Sequence, residues 1–146
     1  MLHTFQFLAT LSACLFAGAA IYINLVEHPA RMGCDTKTAA MVWAPSYKKA
    51  TVMQASLAIL GFLSGVAAWL LGGGVMWLVG AAFIGTVVPF TLTVIMPTNH
   101  KLLAPGRDLS SNETRSLLEK WGKLHGVRSA LGFVASVVYV VLLLDA

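Results

Sequence analysis

The sequence predicts an all-α fold, a four-transmembrane-helix bundle with two polar loops on one membrane face. Three observations predict it. All ten Lys and Arg residues fall in two windows, 31–49 and 101–128. Outside those windows lie long runs without a single charge. The composition, 58% apolar and 11% charged, is far from the roughly 25% charged residues of a soluble domain, so the solvent is lipid.

The first three runs, 5–26, 50–71 and 75–96, are 22 residues each, about 33 Å of helix at ~1.5 Å per residue. That length matches the ~30 Å hydrocarbon core. The fourth run, 129–144, is short. It reaches spanning length only if its helix begins near Trp121 or His125, with Arg128 snorkelling to the interface or pointing into the bundle. The expected spans are therefore about 5–26, 46–71, 75–96 and 121–144, within one domain covering residues 1–146. Backbone amides in lipid must bond within their own segment, so the spans are helices. Ala9, Ala13 and Ala17, then Gly61/Gly65, Ala81/Gly85 and Gly122/Gly126 recur at four-residue spacing, which lets backbones approach closely.

The connections follow. Gly72-Gly73-Gly74 is a minimal hairpin between spans two and three. Pro29 and Pro97 are expected to end helices one and three, because the residue before proline avoids helical geometry. Pro45 suits the first turn of helix two. The stretch 35–43 fits a short interfacial helix capped by Asp35 or Thr36. Ser110, with Glu113 three residues on, forms a capping-box pattern that opens the fourth helix well before the membrane.

Lys and Arg are retained on the cytoplasmic side. Arg31, Lys37, Lys48 and Lys49 lie in the first window, and Lys101, Arg107, Arg115, Lys120, Lys123 and Arg128 in the second. Both termini are thus expected outside and both long loops in the cytoplasm, in a bacterial-type inner membrane. The net charge of +4 is what such loops produce, and without a basic-aromatic groove pattern no nucleic-acid partner is expected. The first run is longer than a signal-peptide core and Met1–Gln6 lacks Lys and Arg, so an uncleaved helix is expected, although Leu11-Ser12-Ala13-Cys14 resembles a lipoprotein cleavage box. Cys14 in a span and Cys34 in a loop are too far apart in this topology to pair.

Nearly every residue capable of chemistry lies on the loop side, in four groups, one at the inner end of each helix. They are Glu27-His28-Pro29-Ala30-Arg31, Trp43-Ala44-Pro45-Ser46-Tyr47, Pro97-Thr98-Asn99-His100, and Trp121 with His125 and Arg128. Alternating topology makes neighbours of these four groups. Leu117, Trp121, His125 and Arg128, spaced four, four and three apart, share one helix face. Taken singly, Trp43, Tyr47 and Trp121 read as belt aromatics, Arg128 as a snorkelling cation and each histidine as a solvated residue. Their convergence is what argues for a site, since polar groups inside a bundle end are costly and tend to be functional.

The series Ala20-Ile21-Tyr22-Ile23-Asn24-Leu25-Val26-Glu27-His28-Pro29-Ala30-Arg31, then Trp43-Ala44-Pro45-Ser46-Tyr47-Lys48, Pro97-Thr98-Asn99 with Leu102, and Trp121-Gly122-Lys123-Leu124-His125-Gly126-Val127-Arg128 resembles the DUF1772 family, also called the anthrone oxygenase family. The likeness spans nearly the whole chain. It implies a small four-helix membrane protein. For the family's few assigned members it implies oxidation of an anthrone to an anthraquinone by molecular oxygen with no evident organic cofactor.

An anthrone carries an acidic methylene between two aromatic rings, and its anion is electron-rich enough to react directly with oxygen. Such chemistry needs a base, an anion stabiliser and a dry aromatic pocket. His125, on the bundle-facing stripe, is the expected base, His28 the second candidate, and Glu27 the group that orients a histidine or stabilises its charged form. Asn99, Thr98, Arg128 and Tyr47 are expected to hold the oxyanion, Trp43 and Trp121 to stack on a planar ring system, and Arg31 to belong to the same site. No cofactor is expected. The alternative is non-haem iron, for which Glu27, His28, His100 and His125 contain two histidines and a carboxylate, but without His-x-x-x-His or Glu-x-x-His spacing. Ser46 and Cys34 lack a paired base for nucleophilic catalysis.

The competing class is a non-catalytic membrane protein that binds a quinone-like or lipid molecule, or a small subunit of a larger complex. Transport fits less well, since there is no internal repeat and no charge inside spans one to three. The expected partners are an aromatic or quinone-like small molecule and the lipid bilayer, and a bundle this thin leaves room for a homo-oligomer.

Overall fold

The computed structural model describes residues 1–145. The described residues form four helices: α1 (Leu2–Met32), α2 (Thr36–Gly73), α3 (Met76–Leu102) and α4 (Asn112–Leu144). Among the described residues there is no strand. Each helix is long and apolar enough to cross a membrane, which makes this an integral membrane protein. α1 packs against α2 and α4, and α3 against the same two. The result is an up-down-up-down bundle in which sequence neighbours touch and α4 closes back onto α1.

The helices outrun the expected spans at the loop end. α1 and α3 do not stop at Pro29 and Pro97 but continue to Met32 and Leu102. A proline inside a helix lacks the amide donor and its ring meets the carbonyl four residues earlier. Here each proline is preceded by one wider π-helical turn, Ile23–Glu27 before Pro29 and Thr91–Ile95 before Pro97. That turn absorbs the misfit and lets the helix resume. Pro45 likewise lies inside α2 rather than in its first turn, and the stretch 35–43 is the start of α2 itself rather than a separate interfacial helix. The ordered loops are correspondingly short.

Asp35 caps α2. Its carboxylate accepts from the Thr38 amide at 3.0 Å and the Thr38 hydroxyl at 2.7 Å, which holds its pKa below the usual carboxylate value. At α4 the cap is Ser111, not Ser110: its Oγ accepts from the Thr114 amide at 3.1 Å. Glu113 turns away from any capping box and pairs with Arg107 at 3.0 Å. At the opposite end the glycine hairpin is required by its backbone. Gly72 and Gly74 have φ of 92° and 93°, a region L side chains avoid.

The interior divides into three layers. Away from the loops, Phe16, Trp77, Ile84 and Tyr139 pack among Ala9, Ala13, Ala58 and Ala135. Small residues make that possible: a Cβ on Gly65 would stand 1.9 Å from the Tyr139 hydroxyl, and one on Gly80 2.4 Å from its ring. Toward the loops, Trp43, Ile95, Leu118 and Trp121 form a second apolar cluster. Between the two clusters, α1, α2 and α4 each contribute polar side chains: Asn24, then Gln54, then His125, Arg128 and Ser129.

Candidate functional site

The polar layer exists because α4 carries its stripe inward. Trp121, His125 and Arg128 are all buried, as four-four-three spacing on one helix face requires. His125 lies against Trp121, ring centroids 4.9 Å apart. Its Nδ1 is 2.7 Å from the Asn24 side-chain oxygen on α1. Asn24 is held from two further directions. Its Nδ2 donates to the Gly122 carbonyl at 3.0 Å, and its Oδ1 accepts from the Ser129 hydroxyl at 2.5 Å.

Arg128 reaches across to α2, where its Nη2 donates to the Gln54 Oε1 at 3.0 Å. Its guanidinium also faces the Phe16 ring at 5.8 Å. Among the described residues no carboxylate pairs with it. It is therefore a buried cation whose charge is met only by an amide dipole and a ring face, a marked electrostatic imbalance in a low-dielectric setting. Arg31, the second buried guanidinium, is balanced. It pairs with Glu27 one turn earlier, and Ser46 on α2 bonds both of them.

Aromatic rings roof this layer. Trp43 and Tyr47 stack nearly parallel at 5.0 Å, Trp43 meets Trp121 edge-on at 5.8 Å, and His28 lies against Trp121 at 5.1 Å. The His28 ring is pressed onto Gly122, where a Cβ would come within 2.6 Å. Arg31, Tyr47, Gln54, Trp121, His125 and Arg128 together enclose a cavity of about 10 Å³, room for roughly one water. The space between these side chains is too small for a ring system.

Seven of the ten sequence-derived site residues thus touch the cavity or its roof: His125, Arg128, Arg31, Tyr47, Trp121, Trp43 and His28. The Glu27 carboxylate accepts from Arg31 and Ser46. Thr98 and Asn99 are buried on α3 but do not line the cavity. The Asn99 amide faces Met96, whose sulfur also receives the Tyr47 hydroxyl. His100 is exposed. Among the described residues, no three His, Cys, Asp or Glu side chains stand close enough to share a metal ion.

Sequence reasoning gave no site role to Asn24, Gln54 or Ser129, and weighed Ser46 only as a nucleophile. Asn24 and Gln54 did carry a signal, since a strongly polar amide inside a membrane-spanning run is costly unless it has a partner there. Their partners lie on other helices, 101 residues away for Asn24–His125 and 74 for Gln54–Arg128.

Two open grooves face the bilayer. One, of about 460 Å³ between α2 and α3, is lined by Ala58, Phe62, Ala82, Gly85 and Thr86 among others, and its Thr86 hydroxyl is tied to the Ala82 carbonyl at 2.6 Å. The other, of about 520 Å³ between α1 and α4, is lined by Ile21, Leu25, Gly126, Ala130 and Phe133 and floored by Asn24 and Ser129. The second groove therefore ends on the side chains that hold His125.

The family model for anthrone oxygenase matches residues 43–138, which include α3 and the Trp43, Trp121, His125 and Arg128 positions. The chain belongs to the anthrone oxygenase family. Among curated proteins, the anthrone oxygenase tpcL of Aspergillus fumigatus is 26% identical over 142 residues, covering 90% of this chain and 88% of that protein. No solved structure matches the chain. Within the anthrone oxygenase family model lie the second and fourth polar groups and the third, whereas Asn24, Glu27, His28 and Arg31 precede it.

Proposed function

We propose that this protein is a membrane-embedded oxygenase that oxidises an anthrone-like or phenolic aromatic with molecular oxygen by base-assisted deprotonation, without an organic cofactor. The observation that carries the proposal is the pairing of His125 and Arg128 on one small cavity, a base beside a buried cation with no carboxylate partner among the described residues. Family membership supports the reaction class.

The chemistry asks little of the protein. His125 takes a proton from the ring methylene, and the negative charge moves to the carbonyl oxygen. Arg128, with the Tyr47 hydroxyl nearby, holds that oxyanion, an interaction strongest where water is excluded. The carbanion gives its electrons to oxygen and forms a carbon–oxygen bond, and the peroxide anion recovers the proton from His125. Loss of the second methylene hydrogen with cleavage of the O–O bond releases water and leaves the second ketone. One oxygen molecule is consumed, one water is formed, and the base is regenerated. Trp43, Tyr47 and Trp121 supply flat faces for the ring system.

The substrate is apolar and partitions into the bilayer. The α1–α4 groove is the route that joins lipid to the polar layer, and the small cavity opens by movement of the aromatic roof. The segregation of Lys and Arg at the loop end supports an orientation with the roof on the cytoplasmic face of a bacterial-type inner membrane and both termini outside.

Oxygen uptake by the purified protein in lipid nanodiscs, with anthrone as substrate, tests the reading. Uptake that depends on protein and yields one anthraquinone per oxygen supports it, and His125→Ala should lower the rate by about 10²–10⁴. Saturable anthrone binding without oxygen uptake would instead mark a non-catalytic binder of quinone-like molecules.

A further inference from the structure

The hydrogen bonds around Asn24 have a consequence for the proton on His125. The Gly122 carbonyl can only accept, so the Asn24 group facing it at 3.0 Å is the Nδ2 donor. The opposite amide orientation would set two acceptors against each other there. With Nδ2 assigned, Oδ1 faces His125 Nδ1 at 2.7 Å and the Ser129 hydroxyl at 2.5 Å. An amide oxygen can only accept. His125 Nδ1 must then carry the hydrogen, and a neutral imidazole has one N–H and one lone pair. The lone pair is left on Nε2.

Nε2 has no hydrogen-bonding partner among the described residues, while the His125 ring lines the cavity beside Arg31, Tyr47, Trp121 and Arg128. The basic nitrogen is thereby reserved for whatever occupies that cavity. The assembly is redundant: Asn24 comes from α1, Ser129 and the Gly122 carbonyl from α4, and Ser129 Oγ is also 3.2 Å from the His125 carbonyl. Neither end of the Asn24 amide is free to rotate without breaking a bond inside the bundle, where a lost partner is not replaced by water.

We infer that Asn24 is the positioning residue of this site: it fixes His125 as the Nδ1–H tautomer and so aims the Nε2 lone pair into the cavity. It acts on the reaction through His125. The role of that lone pair rests on the reading of His125 as the base, whereas the tautomer does not. A carboxylate in this position would stabilise a charged imidazolium, and the amide instead selects a neutral ring with a defined open nitrogen.

Nitrogen NMR of the full chain, labelled with ¹⁵N-histidine and held in nanodiscs, reads the tautomer directly. Only His3, His28, His100 and His125 contribute signals, and His125→Gln assigns its pair. The expected result for the wild type is a protonated Nδ1 and an unprotonated Nε2 on His125, with Asn24→Leu converting this to a tautomer mixture. An Nε2–H form in the wild type, which requires no variant to fold, would overturn the inference. So would an Nδ1–H form that Asn24→Leu leaves unchanged.

Turnover of anthrone gives the second readout. Asn24→Leu should lower kcat about 100-fold with KM within about twofold, less than the ~10⁴ lost when a histidine base is locked in the wrong tautomer, because the ring is freed rather than locked. Asn24→Asp keeps an acceptor for Nδ1 but sets a second oxygen against the Gly122 carbonyl and favours the charged ring, so its loss should deepen as pH falls while the Asn24→Leu loss stays level with pH. Losses that follow the same pH profile in both variants would show a merely structural role. Absence of any wild-type oxygen uptake would sink the proposed reaction while leaving the tautomer result standing.

Discussion

The Arg128 guanidinium donates to the Gln54 side-chain oxygen across the middle of the bundle at 3.0 Å, and among the described residues no carboxylate is paired to it. Two variants separate what this bond does for folding from what the cation does for chemistry. Gln54→Leu leaves a buried guanidinium without its acceptor and should destabilise the protein by about 1.5–3 kcal/mol. Arg128→Met removes the buried charge altogether and should melt no lower than wild type, yet lose about 10²–10³ in kcat as an oxyanion donor. Thermal melts in micelles and oxygen uptake give the two numbers. An Arg128→Met protein with wild-type turnover would remove the oxyanion role.

The two lipid-facing grooves are similar in size, but only the α1–α4 groove has a polar floor next to His125. Ala130→Leu fills that groove and should raise KM for anthrone about tenfold or more with kcat little changed, the mark of lost binding common to ground and transition states. Ala82→Leu fills the α2–α3 groove by a comparable amount and should leave both constants as they are. Equal KM values in the two variants would exclude lateral entry between α1 and α4.

Tyr139 is accommodated by glycines on two helices. Gly65→Ala and Gly80→Ala place a Cβ 1.9 Å and 2.4 Å from its atoms, so each should cost about 1–3 kcal/mol through overpacking. Gly18→Ala is the control. Nothing lies within 4 Å of its Cβ, and a helical Gly→Ala change there should be neutral or stabilising by up to about 1 kcal/mol. Melting curves of the three variants, measured in one detergent, check the contrast.

Membrane orientation is read through cysteine. Cys34 is exposed in the connection between α1 and α2, and Cys14 is half-buried within α1. A membrane-impermeant maleimide should label Cys34 in inside-out vesicles and fail to label it in right-side-out ones, with Cys14→Ser removing any background. The reverse pattern would place the loop end outside.

The four spans were legible because apolar runs and the segregation of ten cations depend on local composition alone. The gathering of Glu27, His28, Arg31, Trp43, Tyr47, Trp121, His125 and Arg128 at one end was legible for the same reason, since alternating helices bring those segments to one face whatever their packing. The helix ends were less so. Pro29, Pro45 and Pro97 read as stops, but in a bundle the neighbouring helices hold the chain helical and a π-helical turn takes up the misfit at Pro29 and Pro97.

The sequence by itself determined solvent, helix number and the face where polar chemistry collects, because the cost of placing charge or an unpaired amide in hydrocarbon acts residue by residue. Which polar groups meet was decided only by the tertiary structure. Asn24 and Thr98 are both uncharged polar residues at the inner ends of spans, yet one bonds to His125 and the other lies on α3 away from the cavity. That difference is set by helix rotation and by the close approach that Gly122 and Gly132 allow between α1 and α4, and it has no counterpart in composition or spacing along the chain.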